Sequence, residues 1–436
     1  MNNTVKIIGA GLAGCEAAWQ IANRNINVEL YEMKPNKKTP AHISDDFAEL
    51  VCSNSLRAND IANAVGLLKE EMRRLNSLII KAADETKIPA GGALAVDREK
   101  FAEYITDKIK NHPKIKVINE EIEEIPTGIV IITTGPLTTD GLSKNIQTLI
   151  KDESKLSFFD AAAPIVTYDS IDKNKAFFAS RYGKGDADYI NCPMTKDEYT
   201  IFRTELINAK CADLHGFEKK LVFEGCVPIE VLAERGEDTM RYGPLKPVGI
   251  RDPKTNETFY AIVQLRRDNI EGTLYNLVGF QTHLKFDEQK RIFSMIPGLE
   301  NAEFVRYGVM HRNTYINSPK VLDRYNRLKA EPHIRFAGQI TGVEGYVESA
   351  ASGLLTGIET ALEIQKLPPV NFPNETAIGA LALYVSGGAV SAFQPMNINF
   401  GLISQLDRRV KGKSERNLAI ANRSLDIIDK IATGFQ

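Results

Sequence analysis

The N-terminal part of the chain alternates between apolar and polar stretches that predict a strand, a helix and a second strand. An apolar run at 5–8 predicts a buried strand, and small and apolar residues at 17–22 recur with the period of one helix face. A second apolar run, 28–31, ends before an acidic residue. The turn between the first strand and the helix is rich in glycine, an order typical of βαβ units that bind dinucleotides.

The glycines of this turn stand at three positions with separate structural tasks. In such a unit the first glycine makes a tight turn, the second lets backbone approach the pyrophosphate, and the third lets helix and strand pack closely. Gly9, Gly11 and Gly14 occupy these positions. Glu32, 18 residues after Gly14, is placed to accept the ribose hydroxyls and disfavours a 2′-phosphate, so NADP is not expected here. A turn that binds nothing is the weaker interpretation.

A second glycine-rich segment lies near the C-terminus. Residues 333–337 predict a strand, which Gly338 and Gly342 follow. The apolar run 128–134 predicts a wholly buried strand that ends in a tight turn at Gly135. Because glycine-rich turns occur towards both ends of the chain, the sequence predicts one dinucleotide site assembled from both termini, as in flavoproteins.

Two predicted helices frame the expected core. Apolar residues between 67 and 79 recur at helical spacing and predict one long amphipathic helix. Another helix is predicted from about 349 to 364, with its N-terminus directed at the flavin ring, where the helix dipole stabilises the reduced, anionic form. Gly353 and Gly357 in that helix predict close packing or a nearby cofactor.

The middle of the chain has a different pattern of apolar residues. From about 157 to 327 the apolar runs are shorter and alternate, which predicts an inserted α+β substrate domain. The predicted fold class is therefore α/β: a Rossmann-type FAD-binding domain formed by 1–156 and 328–436, with the inserted domain at 157–327. The C-terminal part of the FAD-binding domain carries a basic helical tail.

Composition narrows the class of protein. A chain of 436 residues with 43% hydrophobic and 25% charged residues is expected to fold into two or three globular domains. Neither a run of the ~20 apolar residues that a membrane span needs nor a signal-peptide pattern is present, so the sequence predicts a soluble, cytoplasmic protein. A net charge of −2 does not predict a polyanion partner, so any nucleic-acid contact needs a local basic patch.

One such patch is the C-terminal tail. The basic side chains there either contact a phosphate backbone or form a solvated helix face, and their spacing alone slightly favours the solvated face. Two acidic residues, Asp407 and Glu415, lie among them. The basic residues are Arg408, Arg409, Lys411, Lys413 and Arg416.

The cysteines do not form a metal or disulfide framework in the sequence. They are odd in number, scattered, and without a C-x-x-C pair or a paired histidine spacing, so neither structural zinc nor any other metal site is predicted. They are Cys15, Cys52, Cys192, Cys211 and Cys226.

Cys226 precedes a predicted short helix at 228–235. A thiol just before a helix N-terminus has its pKa lowered by the helix dipole, and the adjacent Gly225 leaves room for a substrate. The nearby carboxylates oppose a thiolate. For an isolated cysteine, a buried and inert side chain is the more common case.

Cys52 ends the apolar run 50–51, which predicts a strand end followed by three capping-type residues. Arg57 is close enough in sequence to supply positive charge to this thiol. The alternative, which the sequence alone favours, is that Cys52 is the last buried residue before a turn.

Several longer motifs resemble one family. They resemble the TrmFO family, the folate- and FAD-dependent tRNA (uracil-5-)-methyltransferases, which are relatives of the GidA flavoproteins. The resemblance runs nearly end to end, although members of this family that act on ribosomal RNA would look much the same. The motifs lie at 39–42, 52–57, 89–98, 223–226, 338–351 and 393–397.

The resemblance implies a reaction for the cysteines. Reduced FAD takes the one-carbon unit of 5,10-methylenetetrahydrofolate and passes it to C5 of a uridine, with NAD(P)H as reductant, to give 5-methyluridine. A thiolate that adds to uracil C6 makes C5 nucleophilic. The resemblance implies Cys226 as this nucleophile and Cys52 as a second catalytic thiol, for proton abstraction or protection of the flavin adduct. The reverse division of roles stays open.

The resemblance also implies binding residues. Tyr346 lies against the isoalloxazine or is a packing tyrosine, and His283 stacks on the folate pterin or is structural. Arg98, Arg312 and Lys285 meet the folate tail or RNA phosphates. The residues implied to bind the cofactor are Gly9, Ala10, Gly11, Leu12, Ala13, Gly14, Glu32, Gly135, Gly338, Gln339, Gly342 and Tyr346.

Three functions compete at this level. The leading one is methylation of an RNA uridine, in the tRNA T-loop or alternatively in 23S ribosomal RNA. A second is a folate- or NAD(P)H-dependent flavin oxidoreductase without RNA, in which Cys52 and Cys226 form a redox pair. A third is a GidA-like, partner-dependent flavoprotein that binds RNA. A long C-terminal helical extension is expected for such a protein, whereas this sequence continues only about 70 residues after the helix predicted to cap the flavin, which argues against this function. No membrane partner is expected, and the oligomeric state and the choice between NADH and NADPH stay open.

Overall fold

The computed structural model describes residues 4–39, 41–150, 156–161, 163–183, 186–212, 227–308, 310–387, 393–407 and 409–434, with 156–161 and 310–313 described by their backbone alone. The described strands are β1 (Val5–Ile8), β2 (Val28–Tyr31), β3 (Ser55–Ala58), β4 (Lys87–Ile88), β5 (Ala93–Val96), β6 (Ile115–Ile118), β7 (Ile129–Ile132), β8 (Leu156–Ala161), β9 (Ile165–Thr167), β10 (Phe177–Ala179), β11 (Tyr189–Met194), β12 (Ala261–Arg267), β13 (Leu274–Leu277), β14 (Phe304–Arg306), β15 (Met310–Tyr315) and β16 (Ile334–Phe336). The described helices are α1 (Leu12–Ala22), α2 (Ala64–Arg74), α3 (Leu78–Glu85), α4 (Arg98–Lys110), α5 (Asp140–Ile150), α6 (Lys196–Ile207), α7 (Ile229–Arg235), α8 (Thr239–Tyr242), α9 (Phe286–Phe293), α10 (Ser318–Val321), α11 (Tyr346–Ile364), α12 (Ala377–Ser386) and α13 (Lys413–Thr433).

A parallel five-stranded sheet is the centre of the nucleotide-binding part. Its order is β16-β7-β1-β2-β6, and every neighbouring pair is parallel. Ile8 pairs in register with Tyr31 and Ile132, so β1, β2 and β7 end at one edge. The C-terminal half supplies β16 beside β7, and the predicted Rossmann-type fold is confirmed.

The inserted part is an antiparallel sheet in the order β10-β11-β12-β13-β9-β14. Its core is separate from that of the parallel sheet, with Val263, Tyr275 and Phe280 among its buried side chains. The antiparallel ribbon of β8 and β15 pairs Leu156 with Tyr315. A fourth sheet has three strands in the order β3-β5-β4, and its first strand follows the loop that carries Cys52.

Helices α1 and α11 pack at backbone distance. A Cβ added to Gly353 would lie 2.3 Å from the carbonyl oxygen of Ala13, and one added to Gly357 would lie 2.8 Å from that of Ala17. Only glycine permits this approach. The glycines of the predicted helix therefore mark close packing against the first helix of the chain, and this helix begins at Tyr346, three residues before the predicted start.

The single long helix predicted at 67–79 is wrong. Helix α2 ends at Arg74 and α3 begins at Leu78. Between them Asn76 adopts φ +56°, and Ser77 caps α3 by accepting a hydrogen bond from the amide of Ile80 at 3.2 Å. The apolar period continues across the break because both helices cover the same core.

The C-terminal tail is helical only from Lys413 onward. Arg409 and Lys411 therefore precede the helix, and Arg408 lies outside the described residues. Among the described helices, none combines the length and apolar character that crossing a membrane requires.

We expect Gly353→Ala to lower the free energy of unfolding by about 1–3 kcal/mol, because the new methyl group overlaps backbone atoms that cannot move aside. Helix propensity alone would give the opposite sign, a gain of about 1 kcal/mol. Urea unfolding followed by circular dichroism measures the difference. Gly141→Ala in α5 is the control, since the three atoms nearest its Cβ belong to the side chain of Glu123 and not to backbone, and unchanged or higher stability is expected there. Equal effects of the two changes would contradict the close-packing argument.

Candidate functional site

A cavity that opens to solvent lies at the edge where β1, β2 and β7 end, and the space inside it, open solvent included, is about 1020 Å³. Open α/β sheets bind ligands at the carboxyl ends of their strands, where successive crossovers leave a crevice. The lining includes the turn after β1, the residues after β2 and β7, and the first residues of α1 and α11. Both halves of the chain therefore build one site.

The glycine-rich turn places three glycines in three environments. Gly9 has φ +100°, and a Cβ there would lie 3.0 Å from Thr134 Cα. A Cβ on Gly14 would lie 1.9 Å from the carbonyl oxygen of Gly9. Gly11 lines the cavity, and a Cβ there would meet no protein atom within 4 Å. Its missing side chain leaves space in the cavity, as the approach of a pyrophosphate requires.

Glu32 is held rigidly in the cavity wall. One carboxylate oxygen accepts the amide of Ala10 at 2.8 Å, and the other accepts the amide of Lys34 at 3.1 Å. The residue is only 8% exposed, yet it lines the cavity. Each oxygen can accept more than one hydrogen bond, so the geometry fits the predicted contact with ribose hydroxyls.

The turns after β7 and β16 also contribute to the cavity. Gly135 has φ +65° and lines the cavity, as does Gln339. Gly338 has φ +84°, and its Cβ would lie 2.9 Å from that of Ala13, so it permits contact with α1. Neither Gly338 nor Gly342 is among the residues that line the cavity, and a Cβ on Gly342 would meet the Phe393 ring at 2.4 Å.

Two helix N-termini reach the cavity. Leu12 and Ala13 of α1 line it, and so do Tyr346 and Ser349 of α11. Each N-terminus carries partial positive charge and free amide groups. This arrangement favours an anionic ligand such as a pyrophosphate.

Tyr346 connects the cavity to Cys52. Its hydroxyl oxygen accepts the amides of Cys52 at 2.7 Å and Ser53 at 3.3 Å. Burial, followed by the charge of Cys52, raises the pKa of Tyr346 well above its ordinary value, so the side chain is a neutral phenol. Cys52 is half-buried in a loop, and the first strand after it begins at Ser55. The predicted strand end at 50–51 is therefore wrong.

Arg98 binds the loop formed by residues 50–54, which we call the Cys52 loop. One guanidinium nitrogen donates to the carbonyl of Leu50 and the other donates to Asp268 at 2.9 Å. Burial acts to lower the pKa of Arg98, but Asp268 outweighs it and the net shift is upward. The outer guanidinium nitrogens thus bind within the protein, joining the loop to the inserted domain.

Arg266 adds a second link to the same loop. Its guanidinium donates to Asn54 Oδ1 at 3.1 Å and to Ser53 Oγ at 2.6 Å. Arg266 lies in β12, so a strand of the inserted sheet forms hydrogen bonds with the two residues directly after Cys52. Sequence reasoning missed this contact, since an arginine in an alternating strand carries no distinguishing pattern.

Arg306 was also missed. It is half-buried on β14, and burial together with the charge of Arg98 lowers its pKa, while the charges of Tyr346, Glu49 and Cys52 act in the opposite direction. Its guanidinium therefore lies within electrostatic range of Cys52. A nearby cation favours the thiolate form of a cysteine.

His283 lies in a second buried cluster. Burial lowers the pKa of its imidazole to about 4, so the ring is neutral near pH 7. Its Nδ1 lies 3.6 Å from Glu230 Oε1, but burial also raises the pKa of Glu230, which weakens the attraction between the two groups. The Nε2 atom of His283 is buried and has no hydrogen-bond partner among the described residues.

Cys226 lies outside the described residues, but its flanks are anchored beside His283. The amide of Ala212 donates to the carbonyl of His283 at 2.8 Å, and the amide of Ile229 donates to that of Gln281 at 2.8 Å. Helix α7 runs from Ile229 to Arg235, close to the predicted bounds.

The remaining predicted residues lie away from the cavity lining. Lys285 is exposed directly before α9. The backbone of Arg312 pairs with that of Phe159 in the β8–β15 ribbon, and its side chain lies outside the described residues.

Two of the other cysteines are shielded from solvent. Cys15 and Cys192 are buried, and burial raises the pKa of Cys192 to about 12 and that of Cys15 still further. Cys211 is exposed. Within the part of the chain that the structure describes, no group of three or more His, Cys, Asp or Glu residues is arranged to hold a metal ion.

Comparison with solved structures supports the fold. The structure of GidA from Aquifex aeolicus in its form I crystal superposes with a TM-score of 0.71 at 18% sequence identity, covering 98% of this chain and 76% of that chain. Its form II crystal gives a TM-score of 0.70 at 17% identity. At these identities the likeness shows the fold alone.

Sequence identity to curated proteins is much higher than to these solved structures. The model of the family described as "Glucose inhibited division protein A" matches residues 4–368. The methylenetetrahydrofolate–tRNA-(uracil-5-)-methyltransferase TrmFO of Acetivibrio thermocellus is 59% identical over 436 residues, all of both chains. The protein of the same name from Listeria monocytogenes is 59% identical over 432 residues, 99% of each chain. The chain therefore belongs to the TrmFO family, within the wider GidA family.

Proposed function

We propose that this protein methylates C5 of a uridine in the T-loop of tRNA, giving 5-methyluridine. The carbon comes from 5,10-methylenetetrahydrofolate, with FAD as carrier and NAD(P)H as reductant. Full-length relatives at 59% identity bear the name of this activity. The structural observation that carries the proposal is a cysteine tied through Tyr346 to a dinucleotide cavity.

The residues of the cavity fit FAD. Glu32 suits the ribose of the adenosine, and the open space at Gly11 together with the start of α1 suits the pyrophosphate. Tyr346 and the start of α11 suit the isoalloxazine ring. When bound, reduced FAD supplies reducing electrons and carries the one-carbon unit from folate to the pyrimidine.

The cysteines act on the uracil. Its C5 is a poor nucleophile until a thiolate adds to C6, and the same sulfur leaves once the product forms. We assign the addition to Cys226, which lies outside the described residues, and we assign removal of the C5 proton or protection of the flavin to Cys52. Tyr346 fixes the amide of Cys52, and Arg306 supplies a positive charge within range of its thiol.

The folate and RNA contacts are proposed on chemistry. The neutral imidazole of His283 suits stacking on the pterin of folate. Lys285 and Arg312 are cations for the anionic folate tail or for RNA phosphates. Arg98 keeps its outer nitrogens on Leu50 and Asp268, so we propose that it acts mainly by holding the Cys52 loop.

The names of the relatives also bear on the alternatives. They specify tRNA, which favours tRNA over 23S ribosomal RNA as substrate and over an oxidoreductase without RNA. A tRNA substrate agrees with the cytoplasmic location expected from the sequence.

Gly11→Val should abolish FAD binding while leaving the protein folded, because Gly11 lines the cavity and a Cβ there meets no protein atom within 4 Å. Flavin absorbance of the purified protein, with circular dichroism for the fold, measures this. Gly92→Val is the control: a Cβ on Gly92 also meets nothing within 4 Å, and that residue does not line the cavity. Full flavin occupancy in Gly11→Val would show that the pyrophosphate lies elsewhere.

Tyr346→Phe should speed alkylation of Cys52 by about 5-fold or more, because the amides of Cys52 and Ser53 lose an acceptor worth about 1–3 kcal/mol. Peptide mass mapping after a timed pulse of iodoacetamide gives the rate, with exposed Cys211 as the internal reference. Tyr199→Phe removes another phenol hydrogen bond, to Glu237, and should leave Cys52 unchanged. An unaltered Cys52 rate in Tyr346→Phe would refute this anchoring role.

Cys226→Ala should retain FAD yet lose methyl transfer by at least about a thousandfold, as expected when a nucleophile is removed. Cys211→Ala is the matched control and should methylate at the wild-type rate, since that exposed thiol has no proposed role. Wild-type transfer by Cys226→Ala would remove this residue from the chemistry.

The substrate is tested by nucleoside mass analysis of separate tRNA and 23S ribosomal RNA transcripts incubated with the protein, methylenetetrahydrofolate and NAD(P)H. We expect 5-methyluridine in tRNA alone. If 5-methyluridine forms only in ribosomal RNA, the proposed reaction stands but its substrate is ribosomal RNA instead of tRNA. Unmodified RNA in both cases, with bound and reducible FAD, would favour the oxidoreductase.

A further inference from the structure

The inserted domain presents two tyrosines to solvent on neighbouring segments. Tyr242 is 81% exposed and Tyr182 is 60% exposed, more than any other aromatic side chain among the described residues. Val248, whose carbonyl accepts a hydrogen bond from Arg181, is 55% exposed. We call Arg181, Tyr182, Tyr242, Lys246, Val248 and Arg251 the tyrosine surface. Large exposed apolar groups in one place commonly mark an interaction site.

The backbone holds Tyr182 in a costly conformation. Its φ of +58° is in the left-handed region, where a side chain such as tyrosine is strained. The amide of Tyr182 donates to the carbonyl of Gly249 at 2.6 Å, and a Cβ on Gly249 would lie 2.7 Å from the Tyr182 ring. The ring therefore rests on a glycine while most of it stays in water. Burial of the ring does not explain this strain, so a task at the surface is the better explanation.

Arg181 fixes the platform beneath the ring. Its guanidinium donates to the carbonyl of Lys246 at 2.9 Å and to that of Val248. These bonds join the segment that carries Tyr182 to the segment that follows Tyr242. Both rings are thus presented by an ordered framework.

The second segment is basic, although the whole chain is slightly acidic. Residues 239–254 contain four basic residues and one acidic residue, Asp252. The Asp252 carboxylate is engaged by the amide of Lys254 at 2.7 Å, and Arg241 pairs with Asp238. Lys246 and Lys254 take part in no salt bridge with the described residues, so their charges are available to an anionic ligand.

The tyrosine surface lies beside the Cys52 loop. Arg181 donates to Gln264 Oε1 at 3.0 Å, and Arg266, two residues along β12, donates to Ser53 Oγ at 2.6 Å. Alternate residues of a strand share a face and lie about 7 Å apart. Asp188, close to Tyr182 in the sequence, accepts the amide of Gly91 at 2.7 Å. The surface therefore flanks the part of the site that contains Cys52.

We propose that the tyrosine surface binds unpaired bases of the RNA substrate next to the target uridine. The rings of Tyr182 and Tyr242 stack on bases, and Lys246 and Arg251 contact the adjoining phosphates. Base stacking on aromatic side chains combined with basic residues is how proteins hold single-stranded RNA. This inference rests on the proposed function, since it assumes an RNA substrate.

The test measures binding of an unmodified tRNA transcript by the FAD-loaded full chain carrying Tyr182→Asn and Tyr242→Ala together. Asparagine accepts the left-handed conformation, so the change removes the ring without adding strain. Each lost ring should weaken binding by about 5- to 150-fold. The KM for tRNA should rise, while kcat at saturating tRNA and flavin reduction by NAD(P)H without RNA stay at wild-type values.

Three further variants separate stacking from general disturbance. Tyr242→Phe keeps the ring and should bind RNA as the wild type does. Lys246→Gln should lower the slope of log Kd against log salt by about one, whereas the tyrosine changes leave that slope unchanged. Ile201→Ala removes another exposed apolar group, 57% exposed on α6, and should have no effect.

Wild-type RNA affinity in the doubly substituted protein, at equal FAD content and thermal midpoint, would overturn the inference. The same holds if the substitutions change only the molecular mass in solution, which would make the surface a contact between copies of this chain. If the wild type methylates tRNA and the variants do so equally well, the surface fails and the proposed function stands. If the wild type neither binds nor methylates any RNA, both fail.

Discussion

The backbone contact between α1 and α11 is the constraint on which the site depends. Gly353 and Gly357 let α11 approach the carbonyls of Ala13 and Ala17 more closely than any side chain would allow. One helix follows the first strand and the other follows the last strand of the parallel sheet. Because the two helices touch, both N-termini reach one cavity and direct partial positive charge at the same ligand. A larger separation would leave two half-sites.

The Cys52 loop shows how buried charge fixes geometry. Arg98 and Arg266 are largely removed from water, which is costly unless their donors are paired. Their partners are loop carbonyls, Asp268, Ser53 and Asn54, contributed by both domains. Moving either domain would leave a buried guanidinium without its acceptors. The position of the Cys52 backbone is therefore coupled to the contact between the two domains.

The sequence was sufficient where local rules decide the structure. The turn at Gly9 and Gly14, the strand before it and the acid at Glu32 follow from steric and hydrogen-bonding rules that act within one βαβ unit. The helix break at Asn76 escaped prediction because α2 and α3 continue the same apolar period over one core. Leu50 is buried without being in a strand, and its carbonyl accepts a hydrogen bond from Arg98. Contacts of this kind join distant parts of the chain and leave no periodic signal.

The same coupling bears on the two thiols. Cys52 is held through Tyr346, whose ring lines the cofactor cavity, so its distance from that cavity is set by the folded framework. A thiol fixed in this way suits a task beside the cofactor, such as the proposed removal of the C5 proton or protection of the flavin. The thiol that adds to uracil forms and breaks a bond to C6 in every turnover. In the division of roles proposed above, Cys52 does this work beside the cofactor and Cys226 makes the addition.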